Sequence, residues 1–391
     1  MRDSRKILYR SKLISLEAVN FVLKPLHISV VSIIIIRQYN SELWGEFILF
    51  LLGIEMLLTF VNWGQKPFLI REFSRVPSLI GISWSKAFFS RIILLMFSLV
   101  LISISPFISG YKIIFSVWFI SRCLTSFIEP IIQFNRKYKW SILTEVFSLG
   151  VSLGLLYLFS NDLDLGGLLL VFALSSLVKV LLIVPLVPSW KLPSMSLQKA
   201  MLALSISFPF FALSVSGLIQ TKGDLYMVTA LLDKVDIAKY HIIIGFLVLG
   251  QTISSIVLGP FQKNIYRFKE NEIKGLKTSY FKIGWISTSI FSLGLFLVLK
   301  LIYQFEFPIL YLLLFVAYLM PMYFYLIESY FLIKNGLERK VLCYTIIAAI
   351  IDVVLCFALI PLFELTGALY SGILSRIILA RLIVFSYKKM K

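Results

Sequence analysis

The stretch Gly217–Tyr240, GLIQTKGDLYMVTALLDKVDIAKY, decides how the chain is read. It is mostly apolar, yet Lys222 and Asp224 sit in the interior of a run long enough to cross a bilayer. A charged side chain at that depth costs about 2.5–3.5 kcal/mol on the insertion scale and normally faces a bundle interior or a wet cavity. The stretch closes on a short charged turn, Asp233 to Lys239, and a new apolar run begins at once. What needs ionisable groups inside a membrane is therefore the question the rest of the sequence has to answer.

The bulk numbers agree with a membrane setting. The 391 residues are 59% hydrophobic and 15% charged, with a mean hydropathy of +0.92. A soluble domain is nearer ~45–50% apolar and ~25% charged. Crossing the hydrocarbon core takes about 20 apolar residues. Twelve runs meet that length, roughly 13–36, 43–61, 85–109, 113–134, 141–160, 165–188, 201–232, 240–262, 280–303, 307–333, 341–360 and 365–387. The connectors are short, so an all-α integral membrane protein of twelve transmembrane helices is expected, with antiparallel neighbours.

Loop charges set the orientation. With the N-terminus inside, 26 Lys and Arg fall in inner segments and five (Arg37, Lys112, Lys234, Lys239, Lys300) in outer ones. Both termini are expected in the cytoplasm. The net charge of +18 is then a topology signal beside an anionic leaflet, and nucleic acid is not an expected partner. Trp44, Trp63, Trp84, Trp140, Trp190 and Trp285 fall near run ends, where interfacial tryptophans belong. Cys123, Cys343 and Cys356 lie in apolar runs without metal-ligand spacing and read as packing residues. No cleavable signal peptide is visible, since the basic start runs straight into a long span.

The longest connector, NWGQKPFLIREFSRVPSLIGISWSK (62–86), interleaves basic and apolar residues and reads as a partly helical surface segment. A weak internal repeat runs at an offset of 200: Lys139 meets Arg339, Leu155 meets Leu355, Gly167 meets Gly367 and Ser175 meets Ser375. NSELWGEF (40–47) likewise parallels DKVDIAKY (233–240). Two six-helix lobes follow, 1–190 and 191–391, related by a pseudo-twofold axis along the membrane normal.

Polar residues form stripes at helical spacing. Glu17, Asn20, Lys24 and His27 share one face; Glu55, Thr59, Asn62 and Lys66 another; Arg122, Ser126, Glu129, Gln133 and Arg136 a third; Ser214, Gly217, Thr221 and Asp224 a fourth. Tyr318, Pro321, Tyr325 and Glu328 form a fifth, and Asp352 and Arg376 stand in the last two runs. Lys66, Arg136, Glu328 and Arg381 lie near run ends and read as snorkelling groups. Lys24, Arg122, Asp224 and Asp352 lie deeper and read as lining a shared hydrated cavity. His27 and His241 stand alone and suggest no metal site. There is no nucleophile–base constellation, HExxH, P-loop or glycine-rich nucleotide loop, which points away from an enzyme and from an ATP-driven pump. A secondary transporter or a flippase is left.

Several segments carry a family resemblance. KGDLYMVTALLDKVDIAKYHII (222–243) resembles a motif of polysaccharide (O-antigen, Wzx-type) flippases of the MATE-like superfamily: a charged residue, an Asp, then small–x–Tyr, here Lys222, Asp224 and Ala238–Lys239–Tyr240. RQYNSELWGEF (37–47) looks like that family's first outer turn, with Gly45 in place, and NWGQKPFLIREFSR (62–75) resembles its inner connector through Gly64 and Arg71. IIDVVLCFALIPLFELTGALYSGILSR (350–376) is similar to its last two helices at Pro361, Gly367 and Ala368. Asp352 departs from the pattern, which more usually has an uncharged polar residue there.

The resemblance implies a MATE-like fold with a central cavity. It implies translocation of an undecaprenyl-pyrophosphate-linked glycan across the bacterial inner membrane. Lys24, Arg122, Lys222 and Arg376 would then engage anionic groups, while Glu17, Glu129, Asp224 and Asp352 would balance them or carry coupling protons. No cofactor is expected beyond a coupling H+ or Na+. Membrane lipids and other glycan-assembly proteins are the expected company. The alternatives are a proton- or sodium-coupled multidrug antiporter of the same fold, and a membrane-embedded glycan polymerase or acyltransferase. The last would need a sizeable outer loop, and none is present.

Overall fold

A lipid interior leaves backbone N–H and C=O groups no partner but one another, so apolar spans of this length become helices. The computed structural model describes residues 2–106, 108–160, 162–187, 197–258 and 270–390, and among them all regular structure is helical. The elements are α1 (Arg2–Gln38), α2 (Ser41–Asn62), α3 (Gln65–Arg75), α4 (Ile80–Ile104), α5 (Lys112–Phe134), α6 (Tyr138–Leu158), α7 (Leu165–Ile183), α8 (Leu197–Leu231), α9 (Lys234–Leu258), α10 (Glu270–Leu297), α11 (Leu310–Leu319), α12 (Pro321–Lys334) and α13 (Glu338–Lys389). Ten helical stretches among the described residues are long and apolar enough to cross a membrane. The protein is a multi-pass membrane protein.

Hydroxyls inside these helices turn back on their own backbone. Ser29, Ser98, Ser121 and Thr125 each donate to the carbonyl one turn earlier, which lets a polar residue sit in an apolar span. Side chains cap helix starts among the described residues. Asn40 Oδ1 accepts from Leu43 N at 2.7 Å, Asp164 Oδ1 from Gly167 N at 2.7 Å, and Asp233 Oδ1 from Asp236 N at 2.8 Å. The expected surface segment is α3. Its Leu69 and Phe73 pack on Trp84, Ala87 and Ile131, while Lys66, Arg71 and Arg75 stay exposed. Pro321 has no N–H to continue a helix, and α11 and α12 abut there.

α13 is two antiparallel helical arms joined at a break. Glu364 breaks it with φ 51° and ψ −132°, three residues after Pro361. Contacts across the break are centred on that point: Tyr344 OH with Ser386 Oγ at 2.6 Å, and Ser371 Oγ donating to Asp352 Oδ1 at 2.6 Å. At the closed end a Cβ on Gly367 would run into the Leu359 carbonyl. The resemblance placed the end of one helix and the start of the next here, with Gly367 at the joint.

The internal repeat is visible in local geometry. α5 ends at Phe134 and α12 at Lys334; α6 begins at Tyr138 and α13 at Glu338. Arg136 and Gly336 take the same left-handed turn, with φ 55° and 74°. The other pairing also holds, since Asn40 and Asp233 cap α2 and α9 at matching positions. Gly45 is needed there, because a Cβ would meet the Lys234 carbonyl oxygen.

The chain packs as two compact units, Met1–Ile35 with Glu46–Val215, and Ile36–Gly45 with Ser216–Lys391. The boundary expected between 190 and 191 falls in a stretch outside the described residues. In the first unit α7 packs on α5 and α6, and α3 bridges α4 and α5; in the second, α12 packs on α13 and α11 on α10. Aromatic rings fill the first core, with Phe47 stacked on Phe172 at 4.4 Å and on Trp118 at 5.4 Å.

Two tryptophans depart from the interfacial reading. Trp44 and Trp84 are fully buried, Trp84 donating to the Phe127 carbonyl at 2.9 Å, whereas Trp140 and Trp285 are exposed. Position along a span does not say which way a side chain points. Cys343 is exposed, unlike Cys123 and Cys356.

Gly367→Ala should lower folded stability by about 2 kcal/mol or more, because backbone must move to admit the methyl. Gly150→Ala, whose Cβ meets nothing within 4 Å, should be neutral. Thermal unfolding of the detergent-purified variants checks this.

Candidate functional site

The first unit holds an open charged cluster. Lys24 on α1 donates to Glu129 Oε1 on α5, and Lys66 at the start of α3 donates to Glu129 Oε2 at 2.8 Å. The stripe spacing put Lys24, Lys66 and Glu129 on faces of three helices, and here those faces meet. Ser126 Oγ, on the same face of α5, donates to Asn62 Oδ1 at 2.7 Å and joins the α2 and α5 stripes. The Lys24, Lys66 and Glu129 side chains are 40%, 46% and 23% exposed, so this cluster is open at the surface of its unit. Arg122, two turns before Glu129, is half-buried and makes no ion pair or hydrogen bond among the described residues. A pairing of Arg122 with Glu129 along their shared face is thus replaced by the two lysines.

A second cluster in this unit is sealed. Glu145 on α6 accepts from Lys179 on α7 through Oε2 and lies 3.3 Å from His27 Nδ1 through Oε1. The other ring nitrogen of His27 is 2.9 Å from Ser152 Oγ, and the ring stacks on Phe172. Glu145 and Lys179 are only 7% and 13% exposed. His27 is therefore not alone, as its sequence setting suggested; its partners come from another helix. Arg122 lies within electrostatic reach of both Lys24 and Lys179. Lys24, Lys66, Arg122 and Lys179 against Glu129 and Glu145 leave this set with two positive charges in excess.

The second unit carries an acid pair and one guanidinium. Asp224 on α8 is 1% exposed; its Oδ2 accepts from Tyr240 OH at 2.7 Å and its Oδ1 from Leu225 N at 2.8 Å. The motif that drew attention to this stretch thus closes on itself, its Asp bonded to its Tyr. Asp352 on the first arm of α13 is 2% exposed and accepts from Ser371 on the second. Arg376 lies over the Tyr318 ring at 3.7 Å, bonds the Tyr318 hydroxyl, and donates to the Gly372 carbonyl at 2.8 Å. Asp224 and Asp352 are both within its electrostatic reach. Gln220, Asp352, Ser375 and Arg376 line a small cleft.

The candidate residues therefore sort into groups. Lys24 and Glu129 meet, with Arg122 near; Asp224, Asp352 and Arg376 gather in the other unit. Lys222 is half-buried on α8. The Glu17 side chain lies outside the described residues. Glu328, read as snorkelling, is instead 2% exposed and bonded to Lys277 of α10, whereas Arg136 and Arg381 are exposed. Glu145 and Lys179 escaped the sequence reading, although Glu145, Ser148 and Ser152 have the same three- and seven-residue spacing as the stripes.

Removing one partner of the sealed pair leaves an uncompensated charge. Glu145→Ala should cost about 3–5 kcal/mol of stability, and Glu145→Leu with Lys179→Met should recover most of it. Folded yield and thermal midpoint of the single and double variants are the measurement.

No family model and no curated protein matches this chain. Among solved structures it is similar to lipid II flippase MurJ in an inward closed conformation, with a TM-score of 0.72 at 16% identity over 96% of this chain and 87% of that one. It is also similar to a multidrug resistance MATE family transporter of the MOP superfamily. The inward-facing form gives a TM-score of 0.57 at 13% identity, over 97% of this chain and 94% of that one. The outward-facing form gives 0.55 at 14% identity with the same coverage. What these likenesses establish is the fold: an all-helical membrane architecture shared with MurJ and the MATE transporters.

Proposed function

We propose that this protein is a flippase that moves an undecaprenyl-pyrophosphate-linked oligosaccharide across a bacterial inner membrane by alternating access. The reading takes twelve crossings in two lobes with both termini cytoplasmic; the Glu364 break and α1 supply the two beyond the ten counted above. It makes the protein a transporter with no covalent step.

The observation that carries it is the part-exposed cationic set of the first unit. A lipid-linked diphosphate presents oxygens that accept charge-assisted hydrogen bonds, and Lys24, Lys66 and Arg122 can supply them. The fold it shares with a lipid II flippase supports a lipid-linked cargo. The sequence motif around Asp224 and Tyr240 supports the polysaccharide branch. A proton- or sodium-coupled antiporter of organic cations is the second reading, favoured by Asp224 and Asp352. Both carboxylates are sealed from water, and a cation entering there meets Arg376 already in residence.

Lys24→Ala and Arg122→Ala should each abolish export of lipid-linked glycan while leaving the amount of folded protein unchanged. Lys24→Arg should keep part of the activity, and Arg122→Lys less if the contact is a bidentate fork. The measurement is glycan exported per unit of folded protein. Normal export by both alanine variants would dispose of this function.

A further inference from the structure

Glu129 occupies the cationic set in a way that suggests a second role. Its two oxygens each take a lysine from a different helix, Lys24 of α1 and Lys66 of α3. A two-point grip by two lysines is also what a diphosphate would use. We infer that Glu129 is a displaceable internal anion: it holds Lys24 and Lys66 when no head group is bound, and gives them up to the diphosphate of the cargo. This inference rests on the flippase reading and names the specificity element of its site.

Four features of the cluster favour exchange over permanent pairing. Its three side chains are partly exposed, and ion pairs so exposed stabilise by only about 0–1 kcal/mol. The sealed Glu145–Lys179 pair, at 7% and 13% exposure, lacks that freedom. Both cations are lysines, compact charges on flexible stems that change partner without losing a planar fork. Pro25 and Pro130 directly follow Lys24 and Glu129 inside their helices, and each removes a backbone hydrogen bond beside a pairing residue. Finally, Arg122 has no ion pair or hydrogen bond among the described residues and lies on Glu129's own helix face, so a released carboxylate has a cation to turn to. Lys24, Lys66 and Arg122 against Glu129 leave two charges over, the amount a doubly ionised diphosphate balances.

An internal competitor lowers affinity and hastens release, because the lysines have somewhere to return when the cargo leaves. Only contacts that differ between states can drive such a cycle. The test uses the full chain in detergent, with farnesyl pyrophosphate as a soluble prenyl diphosphate probe, binding read by titration calorimetry. Glu129→Gln should bind it about tenfold more tightly than the natural protein, the scale of losing a competitor held by two part-exposed ion pairs. Glu129→Asp should bind as the natural protein does. Glycan export by Glu129→Gln should fall although binding improves, a split that a purely structural role would not produce. Adding Lys24→Ala and Lys66→Ala to Glu129→Gln should erase the gain. Equal or weaker binding by folded Glu129→Gln would overturn the inference. So would a failure of both Glu129→Gln and Glu129→Ala to fold, since a displaceable anion is not needed for the fold. If export depends on Lys24 and Arg122 while Glu129→Gln shows no gain, the inference falls and the flippase reading stands.

Discussion

A hydrocarbon interior offers a polar group no partner except another part of the protein, and the structure follows from that constraint. Backbone groups meet it by forming helices, the regular structure found among the described residues. Side chains meet it one by one: hydroxyls bond back to their own helix, and ionisable groups find partners on neighbouring helices. Within the first unit Glu145 answers Lys179 and His27; within the second Tyr240 answers Asp224, Ser371 answers Asp352, and Tyr318 carries Arg376. The repeat extends to this level. Ser152, the partner of His27, stands 200 positions before Asp352, and Ser175 before Ser375, so each unit places its polar core on matched helices.

Exposure divides these groups into two kinds. Where the partners are sealed, the interaction is strong and stationary, and its loss would be felt as lost stability. At Lys24, Lys66 and Glu129 the partners are part-exposed, the setting in which ion pairs contribute least to stability. Within the first unit α1 carries both kinds. Lys24 serves the open cluster and His27, three residues on, the sealed one.

Much of this architecture was legible before any coordinates. Hydropathy located the spans, and the repeat anticipated matching helix ends at Phe134 and Lys334. The family resemblance, with the gap between the last two runs, implies a joint near Pro361 and Gly367. The stripes name Lys24, Lys66, Glu129 and Asp224 singly, and Asp352 stands out as a charge in the eleventh run. What helical spacing does not encode is which stripe faces which, because Lys24 and Glu129 are 105 positions apart and meet only through packing. The same gap hid the Glu145–Lys179 pair, in which Lys179 is the lone charge of its helix. It also misread Trp44 and Trp84, whose span-end positions are shared by interfacial and buried rings.

The hairpin in α13 bears on how the chain enters a membrane. Asp352 and Arg376 would each be costly to insert on a lone helix. The turn at Glu364 joins their arms with almost no loop, so closing the pair loses little chain entropy. Ser371 is bonded to Asp352 across the two arms, and Arg376 lies one further turn along the second. If the arms enter as one folded piece, the acid and the base cross the lipid boundary already screened by each other. Inserted one after the other, each would cross bare. A joint of a few residues thereby ties the cost of inserting one arm to the presence of the other.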